Sequence, residues 1–368
     1  MMRIASMIGL ACLLTAPAGA GEPARAENVI VVTLDGFRPQ DFFGGADETL
    51  VHPKAGGVAN VEKLRKAYGR DTAEASREAI LPFLWGTVAK QGQVFGDASK
   101  KSPAKVTNGR KFSYPGYSEM FCGFPDDRID SNAKKSNPNG SILEFLDARP
   151  AFRGKVAAFC TWDVFPSIFR SDSNGLKVHS GWTPIVDEPL TEGQKQANLW
   201  LDRLPRYWAD NVYDAVTMAA AREHLLRHKP RVLYIGLGET DEWAHGRRYD
   251  LYLDAAHAAD RYLGELWEQI QAMPEYAGKT ALLVTTDHGR GGTPSDWTSH
   301  GEKVDGAEAV WMALIGPGVP SLGVREGVEA TQSQVAATIA GLVGEDYRAA
   351  SPKSAAPLAG AIAGPRTP

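Results

Sequence analysis

Three carboxylates stand directly after apolar, β-branched runs of the chain. Asp35 follows "VIVVTL", Asp241 follows "VLYIGLGET" and Asp287 follows "ALLVTT". Histidines accompany two of them. His245 lies four residues after Asp241, His288 adjoins Asp287, and His300 sits just downstream in the polar loop "DWTSHGEK". Runs of this kind read as buried strands, so each acid leaves a strand end. An Asp-His pair alone is equally well explained as a structural ion pair, but three such ends on one sheet edge are not. Clustered carboxylates repel one another unless something positive neutralises them, and bound cations do this most often. Mixed imidazole and carboxylate ligands suit zinc or a similar first-row ion better than calcium. One tetrahedral ion cannot use six such ligands. Two neighbouring ions can, and such pairs typically serve phosphoryl transfer.

The elements that must position these residues alternate strand with helix. "NVIVVTLDGFRP" opens the sequence of strands, and "GKVAAFCTWD", "RVLYIGLGETD", "KTALLVTTDHG" and "AVWMALIGPGV" follow. Helices are expected at "VANVEKLRKAYG", at "LPFLWGTVAKQG" with Pro82 in its first turn, at the amphipathic "YDLYLDAAHAADRYLGELWEQIQAM" and at "QSQVAATIAGLVG". This order predicts an α/β fold: a three-layer α/β/α sandwich with a mostly parallel central sheet. Ligands in such sheets collect beyond the carboxyl ends of the strands.

The 368 residues are 43% hydrophobic with a formal net charge of -4, so no basic excess exists to hold a nucleic acid. The leader "MMRIASMIGLACLLTAPAGA" has an early Arg3, an apolar stretch and a small-residue end, and residues 1–20 read as a secretory signal peptide. It is too short and too broken by Pro17 to make a good membrane span, and no other segment suits one. An exported enzyme, periplasmic or secreted, is expected. A single catalytic domain is expected over 27–348, with a Pro- and Trp-rich insertion around 162–208 and a disordered Ala, Pro and Gly-rich tail over 349–368. In an exported chain Cys122 and Cys160 are equally readable as a disulfide or as two core thiols.

In order, "VVTLDGFRP", "FSYPGYSEMFCG", "ETDEWAH", "TTDHGRG" and "SHG" span Asp35 to His300. Together they resemble the alkaline phosphatase superfamily, in particular its nucleotide pyrophosphatase/phosphodiesterase-like branch. The resemblance implies an alkaline-phosphatase-like fold and a nucleophile at Ser113, at a helix start where unpaired amides favour an anion. It further implies one ion on Asp35, Ser113, Asp287 and His288, and a second on Asp241, His245 and His300. Asn132 would donate to the phosphate. The implied activity is metal-dependent cleavage of a small phosphate ester through a phosphoserine, with two divalent ions, zinc preferred. Phosphonate hydrolysis at the same site and a catalytically silent, secreted metal-binding protein are the alternatives. The sulfatase pattern C/S-x-P-x-R is absent, because Tyr117 stands where Arg is required.

Several side chains near the motifs admit further readings. Arg290 either clamps an oxyanion with two donors or lies in a surface turn. Tyr114, Tyr117, Trp162 and Trp243 would suit an apolar pocket for a diester. Arg110, Lys111, Arg128, Arg170 and Arg290 would suit a dianionic monoester. His224 and His228 have the spacing of a helical zinc pair, but no acid accompanies them in sequence, so a solvated helix end is expected. His52, His179 and His257 carry no expected function.

Overall fold

The computed structural model describes residues 25–364, so the signal-peptide reading of 1–20 lies outside the described residues. Among the described residues, eleven strands form two sheets. They are β1 (Asn28–Leu34), β2 (Gln93–Phe95), β3 (Ala104–Lys105), β4 (Val156–Cys160), β5 (Lys177–Ser180), β6 (Val232–Leu237), β7 (Thr280–Thr285), β8 (Ala309–Val310), β9 (Met312–Ile315), β10 (Gly323–Val324) and β11 (Ala330–Thr331). The eight-stranded sheet runs β10-β2-β9-β7-β1-β6-β4-β5, and β11-β3-β8 make a small second sheet. From β7 through β5 every pairing is parallel, while β9 pairs antiparallel with both β7 and β2.

Alternation along the strands separates two cores. Ile30, Val32, Leu233, Ile235, Leu282 and Val284 face one side; Val29, Val31, Val232, Tyr234, Ala281 and Leu283 face the other. Six helices matter here: α1 (Ser113–Cys122), α2 (Glu192–Arg203), α3 (Asp214–His228), α4 (Glu239–His245), α5 (Tyr249–Gln271) and α6 (Val335–Leu342). Residues of α3 and α5 fill the first core, and those of α1 and α6 the second. This is the expected three-layer sandwich with a mostly parallel sheet.

The segment 162–208 supplies β5, the edge strand parallel to β4, and α2, which brings Ala197 into the first core. Two expectations are corrected. Residues 349–364 of the tail are packed rather than disordered. Leu358 and Ala361 are buried, the Ser354 hydroxyl donates to the Cys122 carbonyl at 3.0 Å, and Leu358 N donates to Thr338 Oγ1 at 2.9 Å. Small residues remove little area each, but composition alone does not show that they meet a prepared surface. The run "AVWMALIGPGV" is two strands, because the chain leaves the small sheet after Val310 and joins β7 at Met312. Cys122 and Cys160 are both free and buried.

Candidate metal centre

Strand register sets the positions of the acids. Thr33 pairs with Gly236 on one side and Thr285 on the other, so Asp35 and Asp287 leave adjacent strands at one level. On the β6 side the chain turns at Gly238 into α4, where Asp241 and His245 lie one helical turn apart on one face. Gly36 N donates to Asp287 Oδ1 at 3.0 Å, and Thr240 Oγ1 donates to the Asp35 carbonyl at 2.6 Å. These bonds lock the strand ends together. Gln332 Nε2 donates to the carbonyls of both Thr286 and Asp287, at 3.1 Å each.

All seven residues expected as ligands meet here. His288 is wholly buried, with Nε2 3.3 Å from Ser113 Oγ, 3.4 Å from Asp35 Oδ1, 3.5 Å from Asp287 Oδ2 and 3.8 Å from Asp241 Oδ1. Its Nδ1 lies 2.9 Å from the Gly289 carbonyl, which accepts only from N–H; Nε2 therefore presents its lone pair to the cluster when the ring is neutral. On the outer side, Asp241 Oδ2 is 3.1 Å from His245 Nε2, and the Nε2 atoms of His245 and His300 are 3.0 Å apart. Ligand atoms of Asp35, Asp287 and His288 form one group within 4.8 Å of one another, and those of Asp241, His288 and His300 form another.

The electrostatics ask for cations. Asp35 Oδ1 and Asp287 Oδ2 are buried with no hydrogen-bond partner among the described residues. Burial, then repulsion from Asp241, raises the Asp35 carboxyl well above the usual carboxylate range; burial, then Asp35, does the same to Asp287. Burial also opposes the charge on Asp241, but Arg290 and then His245 overcome it and hold that carboxyl well below the usual range. Burial, then the neighbouring His288, lowers the His300 imidazole to about 2. Paired acids with orphaned oxygens facing imidazole lone pairs are the donor set that first-row divalent ions take, so the residues present fit the implied metals.

Beside the cluster lies an open cavity of about 520 Å³, lined by Asp35, Ser113, Asp241, His245 and His300 and walled further out by Asn132, Lys134, Trp162, Val164, Asp210 and Glu242. Ser113 is the first residue of α1, with Phe112 at the cap position. The next amide is not free for an anion, because Tyr114 N donates to Asn132 Oδ1 at 3.0 Å. That bond fixes the orientation of the Asn132 amide and leaves Nδ2 as the donor available to the cavity.

The remaining residues singled out in the sequence fall elsewhere. Arg290 is fully buried and donates to the Thr298 carbonyl at 2.7 Å, to the Asp241 carbonyl at 3.1 Å and to Asp241 Oδ1. It is not a surface residue; it lies behind the cavity wall with its guanidinium on Asp241. Arg110, Lys111, Arg128 and Arg170 are ion-paired with Glu302, Glu308, Asp126 and Glu144. Tyr114 donates to the Lys135 carbonyl, Tyr117 Oη donates to Asp35 Oδ2 at 2.9 Å, and Trp243 packs on Tyr207 and Trp208. Of the four aromatics, Trp162 alone lines the cavity.

Lys134, Asp210, Asn211 and Glu242 carry no signal in the sequence that would have found them. Lys134, Asp210 and Asn211 come from loops between elements, where no periodicity announces a side chain's direction, and Glu242 is one more acid on a short polar helix. Lys134 Nζ pairs with Asp163 at 2.6 Å, whereas Asp210 and Glu242 have no basic partner among the described residues. Burial, then Asp241 and Asp210, raises the Glu242 carboxyl to about 7.

Residues 208–346, which hold Asp241, His245, Asp287, His288 and His300, match the sequence model of the Metalloenzyme superfamily. A comparison with curated protein sequences gives no match. Among solved structures, the chain is similar to the alkaline phosphatase PafA in a multiply substituted form, with TM-score 0.56, 9% identity, and 92% of this chain and 99% of that one covered. It is also similar to the lipoteichoic acid synthase LtaP from Listeria monocytogenes, with TM-score 0.54, 13% identity and coverages of 88% and 73%. A third similar structure is the phosphonate monoester hydrolase of Agrobacterium radiobacter, with TM-score 0.51, 12% identity and coverages of 86% and 73%. The family match covers residues 208–346, less than half of the chain, and the solved structures, at 9–13% identity, share its alkaline-phosphatase-like fold.

Proposed function

We propose that the protein is a two-metal esterase for singly charged phosphate diesters, working through a covalent intermediate on Ser113. One observation carries the reading: Ser113 Oγ stands 3.3 Å from His288 Nε2 on the wall of a cavity that Asp35, Asp241, His245 and His300 also line. Asp35, Ser113, Asp287 and His288 would hold one divalent ion, zinc preferred, and Asp241, His245 and His300 the other. When bound, the ions supply Lewis acidity and lower the pKa of a hydroxyl or water oxygen.

The chain's own residues carry out the rest. Ser113 gives its proton to solvent water and Oγ attacks phosphorus; the bond from phosphorus to one ester oxygen breaks, and that oxygen takes a proton back from solvent and leaves as the alcohol. A water oxygen then attacks the same phosphorus, the Ser113 ester bond breaks, and Oγ regains a proton. Asn132 Nδ2 donates to a phosphoryl oxygen, and Arg290 keeps Asp241 in place.

Charge favours the diester over the monoester. Arg110, Lys111, Arg128 and Arg170 are paired with acids outside the cavity, Arg290 holds Asp241, Lys134 on the wall is neutralised by Asp163, and Asp210 adds negative charge to the wall. Across ~8 Å at an effective dielectric of ~20, each extra like-charge pair costs about 2 kcal/mol. Trp162 and Val164 offer an apolar wall to the second ester group. A phosphonate monoester carries the same single charge, so the alternative substrate class, motivated by the Agrobacterium neighbour, meets the same cavity. The leader expected at 1–20 would make the enzyme exported, and among the described residues no helix is long and apolar enough to cross a membrane.

The test compares bis-p-nitrophenyl phosphate, p-nitrophenyl phosphate and p-nitrophenyl phenylphosphonate, with and without chelator, in the wild type and in Ser113→Ala. The expectation is a kcat/KM at least tenfold higher for the singly charged esters, loss of all turnover on chelation, and a drop of several orders of magnitude in Ser113→Ala with metal content retained. Near-normal rates in Ser113→Ala, or chelator-resistant rates, would overturn the mechanism. Full metal loading without turnover of any ester would establish the silent, metal-binding alternative.

A further inference from the structure

A second histidine cluster lies away from this centre. His224 and His228 occupy the last turns of α3, four residues apart and so on one face. Their rings stack at 4.5 Å between centroids. The acid that the local sequence lacks comes from the loop between β5 and α2, where Asp187 Oδ2 lies 2.7 Å from His228 Nε2. Ligand atoms of Asp187, His224 and His228 all fall within 4.8 Å of one another. Since α3 ends four residues before β6 begins, the cluster sits near the amino ends of the strands, at the opposite edge from Ser113.

An ordinary ion pair explains part of this. Asp187 also receives Lys177 Nζ on Oδ1 at 3.0 Å and Gln194 Nε2 on Oδ2 at 2.8 Å. It does not explain His224, which is only 5% exposed, makes no hydrogen bond among the described residues, and keeps Nδ1 buried without a partner. A buried imidazole nitrogen with nothing to bind is destabilising. An adjoining cavity of about 320 Å³, lined by Asp187, His224, His179 and Gln194, leaves room for water as a further ligand.

We propose that Asp187, His224 and His228 bind a third divalent ion, of the zinc class, which clamps the β5–α2 loop onto the end of α3. Two imidazoles and one carboxylate with an open position form a recognised zinc ligand set. Lys177, 42% exposed on its side chain, is free to swing to solvent when the ion takes its place beside Asp187.

The test is zinc stoichiometry by elemental analysis, after stripping the full-length protein with chelator and reloading with zinc alone. Three ions per chain are expected in the wild type. His228→Ala, and separately Asp187→Asn, should each lose one ion and weaken that site at least 100-fold, with melting temperature read to confirm folding. Zinc should raise the melting temperature of a His245→Ala/His300→Ala variant through two remaining sites, and adding His224→Gln should shrink that increment to what the ion on Asp35, Ser113, Asp287 and His288 supplies. A third ion that survives His228→Ala and Asp187→Asn, or a wild-type stoichiometry that neither change lowers, would overturn the proposal. If the wild type holds one ion and His228→Ala removes it, this site stands and the catalytic pair falls.

Discussion

The sharpest consequence of the site's geometry concerns Gly36, the residue after Asp35. Its φ is +58°, a left-handed conformation, and a Cβ built there would stand 2.7 Å from Asp241 Oδ1, 2.9 Å from Arg290 Nε and 3.1 Å from His288 Cε1. The first contact is about 0.7 Å short of the 3.4 Å at which ordinary contact begins. Metal-ligand distances tolerate only about 0.2 Å, so Asp241 cannot yield to Gly36→Ala and still hold an ion in place. Displaced supporting contacts typically cost 10- to 100-fold in metal affinity, and here the displaced group is itself the expected ligand. The expectation is at least 100-fold weaker binding at the Asp241 site, about 2.7 kcal/mol. A further 1–2 kcal/mol of global stability should go to backbone strain. Gly109→Ala separates the two effects, because Gly109 has φ +70° with nothing within 4 Å of its added Cβ. It should lose the strain energy and no metal. Elemental analysis, turnover and chemical denaturation of both variants make the comparison. A folded Gly36→Ala protein with two ions at this centre and wild-type turnover would refute the packing described for Asp241, Arg290 and His288.

Other consequences follow from buried groups. Glu119, fully buried on α1, accepts from six donors: the amides and side chains of Thr107, Asn108 and Ser333. Glu119→Ala strands those donors and should cost about 3–5 kcal/mol in denaturant unfolding; a cost under about 1 kcal/mol would mean water replaces the carboxylate. Arg290→Met removes the cation that holds Asp241 ionised, so turnover should fall at least tenfold and metal binding at the Asp241 site should weaken. Unchanged kinetics would show that the ligands position Asp241 unaided. Cys122 and Cys160 should resist a thiol reagent in the native protein and react fully once unfolded, since burial pushes the Cys122 thiol up to about 12. A disulfide detected by mass would contradict this.

The outline of the fold and the main cluster were legible in sequence for one physical reason. Parallel strands deliver their carboxyl ends to a single edge, so an acid or imidazole at the end of each apolar run predicts a meeting without any distance being known. Asp35, Asp287 and His288 obeyed that rule directly, and Asp241 and His245 reached the same edge on α4, which starts just past the end of β6, while His300 came from the loop downstream. What lay off the strands did not. Arg290 sits in a glycine-rich turn that reads as surface, yet its guanidinium is wholly buried against Asp241. Asp187 is 37 residues before His224, and only the path of the β5–α2 loop brings it to the helix end. Asp210 and Glu242 acquire meaning only from the cavity they face. The chain by itself determined which ligands exist and which strand ends carry them, because periodicity and residue type are local properties. Charge balance, cavity walls and the partner of each buried polar atom were decided by the tertiary structure, because those depend on neighbours that sequence distance does not order.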